Sequence, residues 1–352
     1  MGDHFIKNLN LTNFKCFKKL DVDGFKRVNL ISGKNNIGKT SLMEAIELMV
    51  SSENTLDLAY NIYEMMRRRQ SKIRLNREKY FELDFIYDDS SNVTIIINNK
   101  EIRIDYLEYI EKTPEEENLF EEEDLTVSYY QPSLKLSINN DSRIFTIDRF
   151  INRPNMLRRE RYSENKAKVN FITSTTTDER DIAIFYGRLI DLNKEEFLNK
   201  SLKIFDANII ALKQKATERD IVLKIQLKNR ELPVLLSSLG EGINRYIAIL
   251  CAIWASQDSF LFIDEIENGI HYTNYEKLWK IIFETSKMAN CQIFITTHSK
   301  ECIESFNHVN KNNEGTYFEF YRNQKTNLIT AKQRDNNQLN YALTHDGEIR
   351  GE

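Results

Sequence analysis

Gly33-Lys-Asn-Asn-Ile-Gly-Lys-Thr40 sets glycine, glycine, lysine and a hydroxyl at the spacing G-x-x-x-x-G-K-[ST], and the chemistry those residue types share is phosphate binding. Gly33 and Gly38 let successive backbone N–H groups turn inward around phosphate oxygens. Lys39 reaches the β- and γ-phosphates, and the Thr40 hydroxyl is a Mg²⁺ ligand. The pattern should arise by chance in roughly one chain of this length in a hundred, and its setting lowers that figure. Val28-Asn-Leu-Ile31 reads as a buried strand before it, and Leu42, Ala45, Ile46 and Met49 recur at helical spacing after it.

Three later stretches carry complementary groups. Ser237-Ser-Leu-Gly-Glu-Gly242 opens a helix on which Ile243, Tyr246, Ile247, Leu250, Ile253 and Trp254 fall at i, i+3, i+4 spacing. Its glycine-rich N-terminus offers N–H groups and the positive end of a dipole to an anion, although serine and glycine also make ordinary helix caps. Phe260-Leu-Phe-Ile-Asp-Glu265 is an apolar strand ending in two carboxylates, the Walker B arrangement. Asp264 is expected to hold Mg²⁺ through water and Glu265 to polarise the attacking water as general base. Gln292-Ile-Phe-Ile-Thr-Thr-His298 is another apolar strand, and it ends in histidine. An open parallel α/β sheet delivers polar groups to its carboxyl edge in this way, which sets His298 against the γ-phosphate or the attacking water.

Positioning these groups takes a large α/β frame. Strands are predicted within residues 5–32, where Phe14, Lys15 and Phe17 lie either near the nucleotide or in a packed edge strand, and where Asp21-Val-Asp23 reads as a solvated turn. A basic stretch, Met66 to Arg77, precedes alternation of Phe81, Leu83, Phe85 and Tyr87. Val93, Ile95 and Ile97 then face Ile102 and Ile104 across Asn98-Asn99 as an antiparallel meander. An acidic loop at 115–124 leads to a second hairpin, with Leu134, Leu136 and Ile138 on one arm and Ile144 and Ile147 on the other. The arginines of 153–161 read as solvated surface or, with residues 67–77, as a phosphate-binding face. A strand at 169–172, helices across 178–206, a hairpin around 221–229, final strands at 317–321 and 327–331 and a short closing helix complete the series. The expected parts are 1–80, the N-terminal part of an ATPase core; 81–165, an inserted meander; and 166–352, a helical lobe with the rest of the core.

Composition bounds the class. With 352 residues, 41% hydrophobic and 11% aromatic, the chain can bury a substantial core. A net charge of −4 disfavours a protein that coats polyanions wholesale. No run of 18 apolar residues occurs and the N-terminus lacks a signal pattern, so a cytoplasmic protein without membrane contact is expected. Cys16, Cys251, Cys291 and Cys302 lack C-x-x-C spacing and read as reduced small hydrophobes.

The motif order, P-loop, Ser-Ser-Leu-Gly-Glu, Ile-Asp-Glu-Ile-Glu-Asn-Gly-Ile-His271 and Thr-Thr-His-Ser299, resembles ABC-type ATPases of the SMC and RecF class. The phrases Ile263 to His271, Ile295 to Cys302 and Phe171-Ile-Thr-Ser174 look closest to the OLD-like AAA branch of anti-phage and toxin-like systems. The resemblance implies an ABC-type P-loop fold with a mixed, mainly parallel central sheet, an antiparallel meander and a helical lobe, and an ATPase using ATP and Mg²⁺. By position, Gly33 to Ser41, with Asn35 and Asn36, would bind phosphates. Ser238 and Gly240 would be signature residues, Glu267 to His271 the D-loop, and His298 the switch histidine. It also implies a head-to-tail homodimer, or a larger assembly containing such dimers, in which one copy's signature closes over the other's nucleotide. Two departures stand out: the signature reads Ser-Leu-Gly-Glu, and no Q-loop glutamine appears near 171–178. The chain ends too soon after His298 for the TOPRIM nuclease domain that OLD proteins often carry. The expectation is therefore an ATPase that regulates a separately encoded effector, such as a TOPRIM-type nuclease, with a RecF-like ATP-dependent DNA-binding module as the alternative. A transporter subunit is disfavoured by the long stretch from Lys39 to Ser238, and an inactive scaffold by Glu265 and His298.

Overall fold

The computed structural model describes residues 4–70, 85–86, 92–112, 128–147, 169–174, 178–217 and 221–345. β1 (Asn8–Phe14) and β2 (Phe17–Asp23) alternate buried and exposed residues, as a sheet with one covered face requires. β3 (Val28–Gly33) is buried at every position. α1 (Lys39–Val50) and α2 (Thr55–Gln70) follow, then β4 (Asn92–Ile97), β5 (Lys100–Lys112), β6 (Ser128–Ile138) and β7 (Asp141–Thr146). Between β4 and β5 the expected Asn98-Asn99 turn has φ of 46° and 71°, the conformation of a type I′ hairpin. The chain continues through β8 (Asn170–Ile172), α3 (Glu179–Asp191), α4 (Glu195–Phe205), β9 (Ile209–Ala216), β10 (Ile221–Leu227) and β11 (Val234–Leu235). α5 (Glu241–Ala255), β12 (Phe260–Ile263), α6 (Tyr275–Met288), β13 (Gln292–Thr296), α7 (Lys300–Val309), β14 (Gly315–Arg322), β15 (Ile329–Arg334) and α8 (Asn336–Thr344) complete it.

Three sheets result, ordered β2-β1-β4-β5-β6-β7, β11-β10-β9 and β15-β14-β3-β13-β12-β8. In the last, β3 is parallel to β13 and β14, β12 is parallel to β13 and β8, and only the pairing of β15 with β14 is antiparallel. This is the expected α/β class, and the strands that end at Gly33, Ile263 and Thr296 all point the same way. Among the described residues no helix is long and apolar enough to cross a membrane.

The chain divides into two compact units, one of residues 1–8, 21–43 and 167–352 and another of residues 9–20 and 44–166. This partition differs from the three parts drawn from sequence. Within the second unit β1 pairs antiparallel with β4, Leu9 opposite Ile97, so the first strand joins the meander's sheet. The first unit's core gathers Leu30, Ile263 and Ile295 from the sheet with Tyr246, Ile249 and Trp279 from α5 and α6. α5 is buried on every side from Arg245 to Ala255, as a helix apolar around its whole circumference must be.

Several local expectations resolve here. Phe14 and Phe17 are fully buried and Lys15 forms a buried ion pair with Glu44 at 2.6 Å, so this stretch is packed structure. Asp23 closes the turn by accepting a hydrogen bond from the Gly24 N–H at 2.7 Å. All four cysteines are free thiols. The last strand runs to Arg334, past its predicted end. The 81–84 alternation, the acidic loop, the arginines of 153–161 and residues 71–77 lie outside the described residues.

Candidate nucleotide site

β3 lies beside β14 with Gly33 level with Phe320. A Cβ on Gly33 would stand 2.4 Å from the Phe320 carbonyl oxygen, at φ +143°, so only glycine lets the loop leave the strand there. Asn36 and Gly38 continue with φ of 60° and 91°. The loop thus curls above the N-terminus of α1. Lys39, only 6% exposed, donates from Nζ to the carbonyls of Gly33 at 2.9 Å and Lys34 at 2.8 Å. Burial lowers its pKa to about 8, against the opposing pull of Asp264, Glu265 and Glu267.

The carboxylates arrive on the end of β12. Thr40 donates from Oγ1 to the two carboxylate oxygens of Asp264 at 3.1 and 3.2 Å, and Thr296 donates to Asp264 Oδ1 at 2.7 Å. Glu265 occupies the left-handed region, φ 50°, which costs a non-glycine residue on the order of 1–3 kcal/mol. Its backbone N–H donates to Thr296 Oγ1 at 2.8 Å. Asn268 Nδ2 donates to Glu265 Oε2 at 2.7 Å and to the Ser174 carbonyl at 2.9 Å. The side chain is thereby held on the sheet edge.

His298 stands between the two clusters. Its Nδ1 is 3.4 Å from Lys39 Nζ and its Nε2 is 3.8 Å from Glu265 Oε1, while its backbone N–H donates to Glu267 Oε1 at 2.5 Å. Burial, then the Lys39 charge, lowers its pKa, with Glu267, Glu265 and Asp264 opposing. The ring is therefore neutral near pH 7.

Nucleotide with Mg²⁺ fits these residues. A hydroxyl and a carboxylate within hydrogen-bonding distance are hard oxygen donors, and Mg²⁺ in phosphate sites is held by one or two carboxylates together with the phosphates. Among the described residues no group of three or more His, Cys, Asp or Glu side chains could cage a metal. That donor set suits a cation that arrives with its phosphates.

Ser238 and Gly240 are exposed at the start of α5, and no hydrogen bond joins either to Gly33, Lys39 or Thr40. Ser41 is buried on α1. His271 is exposed and pairs with Thr273 Oγ1 at 2.9 Å. In the first basic stretch Arg67, Arg68 and Arg69 are engaged with Glu64, Glu47 and Glu44, which leaves them poorly suited to a phosphate-binding face.

Sequence reasoning missed two features. Arg245, 3% exposed, donates from its guanidinium to the carbonyls of Thr173 and Asp264, each at 2.6 Å, and of Glu265 at 3.3 Å. An arginine off the apolar stripe of a predicted amphipathic helix reads as solvated surface. The other is backbone contact: a Cβ on Gly242 would stand 2.6 Å from the Gly269 carbonyl oxygen, and Gly269 itself has φ +76°. The glycines of Ser-Leu-Gly-Glu-Gly242 and Glu-Asn-Gly269 were the available signal.

A relative from Helicobacter pylori, described as an ATP/GTP phosphatase, is 27% identical over 94% of this chain and 93% of its own length. The RecF DNA replication and repair protein of Idiomarina loihiensis is 44% identical, over 13% of each chain. An Smc head bound to the C-terminal winged-helix domain of ScpA superposes with a TM-score of 0.51 at 13% identity, covering 94% of this chain and 98% of that one. An Smc head with an extended coiled coil, bound to the C-terminal domain of ScpA derived from Pyrococcus furiosus, gives the same score and identity over 98% and 99%. At such identity the Smc heads show the fold. The family model described as "AAA domain, putative AbiEii toxin, Type IV TA system" matches residues 28–304, which span the P-loop, both carboxylates and His298, and the chain therefore belongs to that family, as an ATPase of the AAA/ABC class.

Proposed function

We propose that the chain hydrolyses ATP with Mg²⁺ at a site shared between two head-to-tail copies, and that the ATP-bound dimer regulates a separately encoded effector in anti-phage defence, as in the OLD-like branch. The observation that carries the catalytic part is the convergence of Lys39, Thr40, Asp264, Glu265 and His298 on one sheet edge, within the distances given above. Gly33 to Thr40 cradle the phosphates and Lys39 bonds the β- and γ-phosphates. Thr40 and Asp264 would hold Mg²⁺, which would supply neutralisation of charge developing on the phosphates. Glu265 accepts the proton of the attacking water. Neutral His298 accepts or donates one hydrogen bond at the γ-phosphate or that water.

The dimer is supported by the position of Ser238 and Gly240, exposed at a helix N-terminus that points no hydrogen bond at its own P-loop; a second copy's phosphates complete them. The family description, a putative toxin of a paired toxin–antitoxin system, supports work with a second gene product, for which a TOPRIM-type nuclease is the proposed example. Phosphate release from ATP and from GTP, with Mg²⁺, tests the hydrolase. Wild type exceeds Lys39→Ala and Glu265→Gln by at least about 100-fold, and equal rates would sink the assignment. Copurification from the native host tests the effector; recovery of the chain alone under every nucleotide condition would exclude it.

A second reading, an ATP-dependent nucleic-acid binder, is favoured by a groove of about 1150 Å³ beside the P-loop, lined by Lys34, Arg322, Lys325 and Lys332, with Arg334 paired to Glu319 at its wall. The short likeness to RecF supports it too. Binding would be salt-sensitive and enhanced by ATP. If Lys325→Glu with Lys332→Glu left oligonucleotide affinity unchanged, the groove would be excluded.

A further inference from the structure

We propose that Arg245 is a positioning residue that couples α5, the helix opened by Ser238 and Gly240, to the general-base turn at Glu265, so that engagement of that helix by a second copy sets the water-activating carboxylate. The inference rests on the hydrolase reading above and names a control device within it. Its starting point is the cost of the residue. A buried guanidinium is expensive unless its donors are met, and its helix neighbours from Tyr246 to Ala255 are all buried. The fork grips main-chain oxygens, Thr173 just past β8 and Asp264 and Glu265 just past β12, while, against its burial, the charges of Asp264, Glu267, Glu241 and Glu265 favour the cation. These strands are neighbours, Ile172 level with Ile263, so one planar group ties two strand ends together at the catalytic edge. A lysine ammonium lacks the fork that spans them.

Three observations turn this clamp into a lever. Glu265 is in the left-handed region, and the conformation persists because its N–H is bonded to Thr296 and its carbonyl accepts from Arg245 and from the Asn268 N–H, the latter at 3.1 Å. The close approach of Gly242 to the Gly269 carbonyl leaves no room for a side chain between the first turn of α5 and the 265–269 segment. Arg245 lies only five residues beyond Gly240, about 7.5 Å along the helix. A force on the exposed end of α5 therefore reaches the 264–269 segment at two places, Gly242 against the Gly269 carbonyl and Arg245 on the Asp264 and Glu265 carbonyls.

The test compares wild type with Arg245→Lys, which keeps the charge and most of the reach, and Arg245→Gln, which keeps a shorter polar group without charge. ATP affinity, kcat, ATP-dependent dimerisation by light scattering and the thermal transition are measured for each. The expected result is ATP affinity within about twofold of wild type, dimers still formed, and kcat reduced at least about tenfold, with the rise of specific activity with protein concentration flattened. Arg245→Lys keeping wild-type kcat and its concentration dependence would overturn the coupling alone. Absence of turnover in wild type would overturn the hydrolase reading and the coupling with it. Loss of ATP binding in both variants, in step with loss of the folded fraction, would overturn the coupling by showing a purely structural role.

Discussion

Lys39 is protonated near pH 7 in spite of its burial and loses its charge as pH rises through about 8. The sign for ligand binding follows: phosphate oxygens favour the ammonium form, so nucleotide affinity is full below about pH 8 and falls above it. A fluorescent ATP analogue titrated on either side of that value should show weaker binding on the alkaline side for wild type and no such step for Lys39→Ala. In the proposed mechanism, His298 accounts for the acid limb. Its pKa lies below the ordinary imidazole value, so turnover persists through neutrality and falls only when the ring gains a second cationic proton beside Lys39. The unfolded chain takes up that proton more readily than the folded one, so stability is also lost as pH falls below that ordinary value. Thr296 is the other residue whose role is specific. Its hydroxyl accepts from the Glu265 N–H and donates to Asp264. Thr296→Val leaves that N–H unmet, at about 1–3 kcal/mol. Denaturant unfolding should register the loss, and kcat should fall more than ATP affinity.

Elements were legible where physics is local. Apolar-rich stretches at 28–31, 260–263 and 292–296 mark strands covered on both faces, and paired asparagines at 98–99 mark a hairpin whose turn needs positive φ. What pairs with what was not legible. β1 meets β4 across a stretch of chain that holds β2, β3, α1 and α2, a non-local choice that no window of sequence contains. Arg245 was hidden for the same reason, because a helix buried on all sides has no solvated face for its one arginine. Lys15 could be given two readings until the fold brought Glu44 and Arg69 to it. Both cations bond Glu44. Burial works to raise the Glu44 pKa, yet Lys15 and Arg69 outweigh it and hold the value below the ordinary one. This contribution is present above the ordinary carboxylate value and is lost as pH falls. Breaking such a buried network by Glu44→Gln should cost about 3–5 kcal/mol at pH 7. Urea midpoints should show that difference shrinking on acidification.

For the whole molecule, the decisive feature is what the P-loop does not bond. Ser238 and Gly240 stand exposed at the start of α5, while Lys39, Asp264, Glu265 and His298 form one cluster without them. A composite site between copies requires that division. Glu265→Gln, which keeps the binding groups and removes the proposed base, should accumulate as a dimer with ATP and Mg²⁺ in light scattering; a monomer that still bound nucleotide would rule out the shared site. Motif order by itself determined the ligand class, the α/β frame and the polar groups of the site, because glycine, lysine and paired carboxylates at strand ends carry their chemistry in type and spacing. Only the tertiary structure decided which backbone each group leans on. The left-handed turn at Glu265, the Arg245 clamp and the Gly242–Gly269 contact join segments far apart in the chain, and close packing alone determines which of them meet.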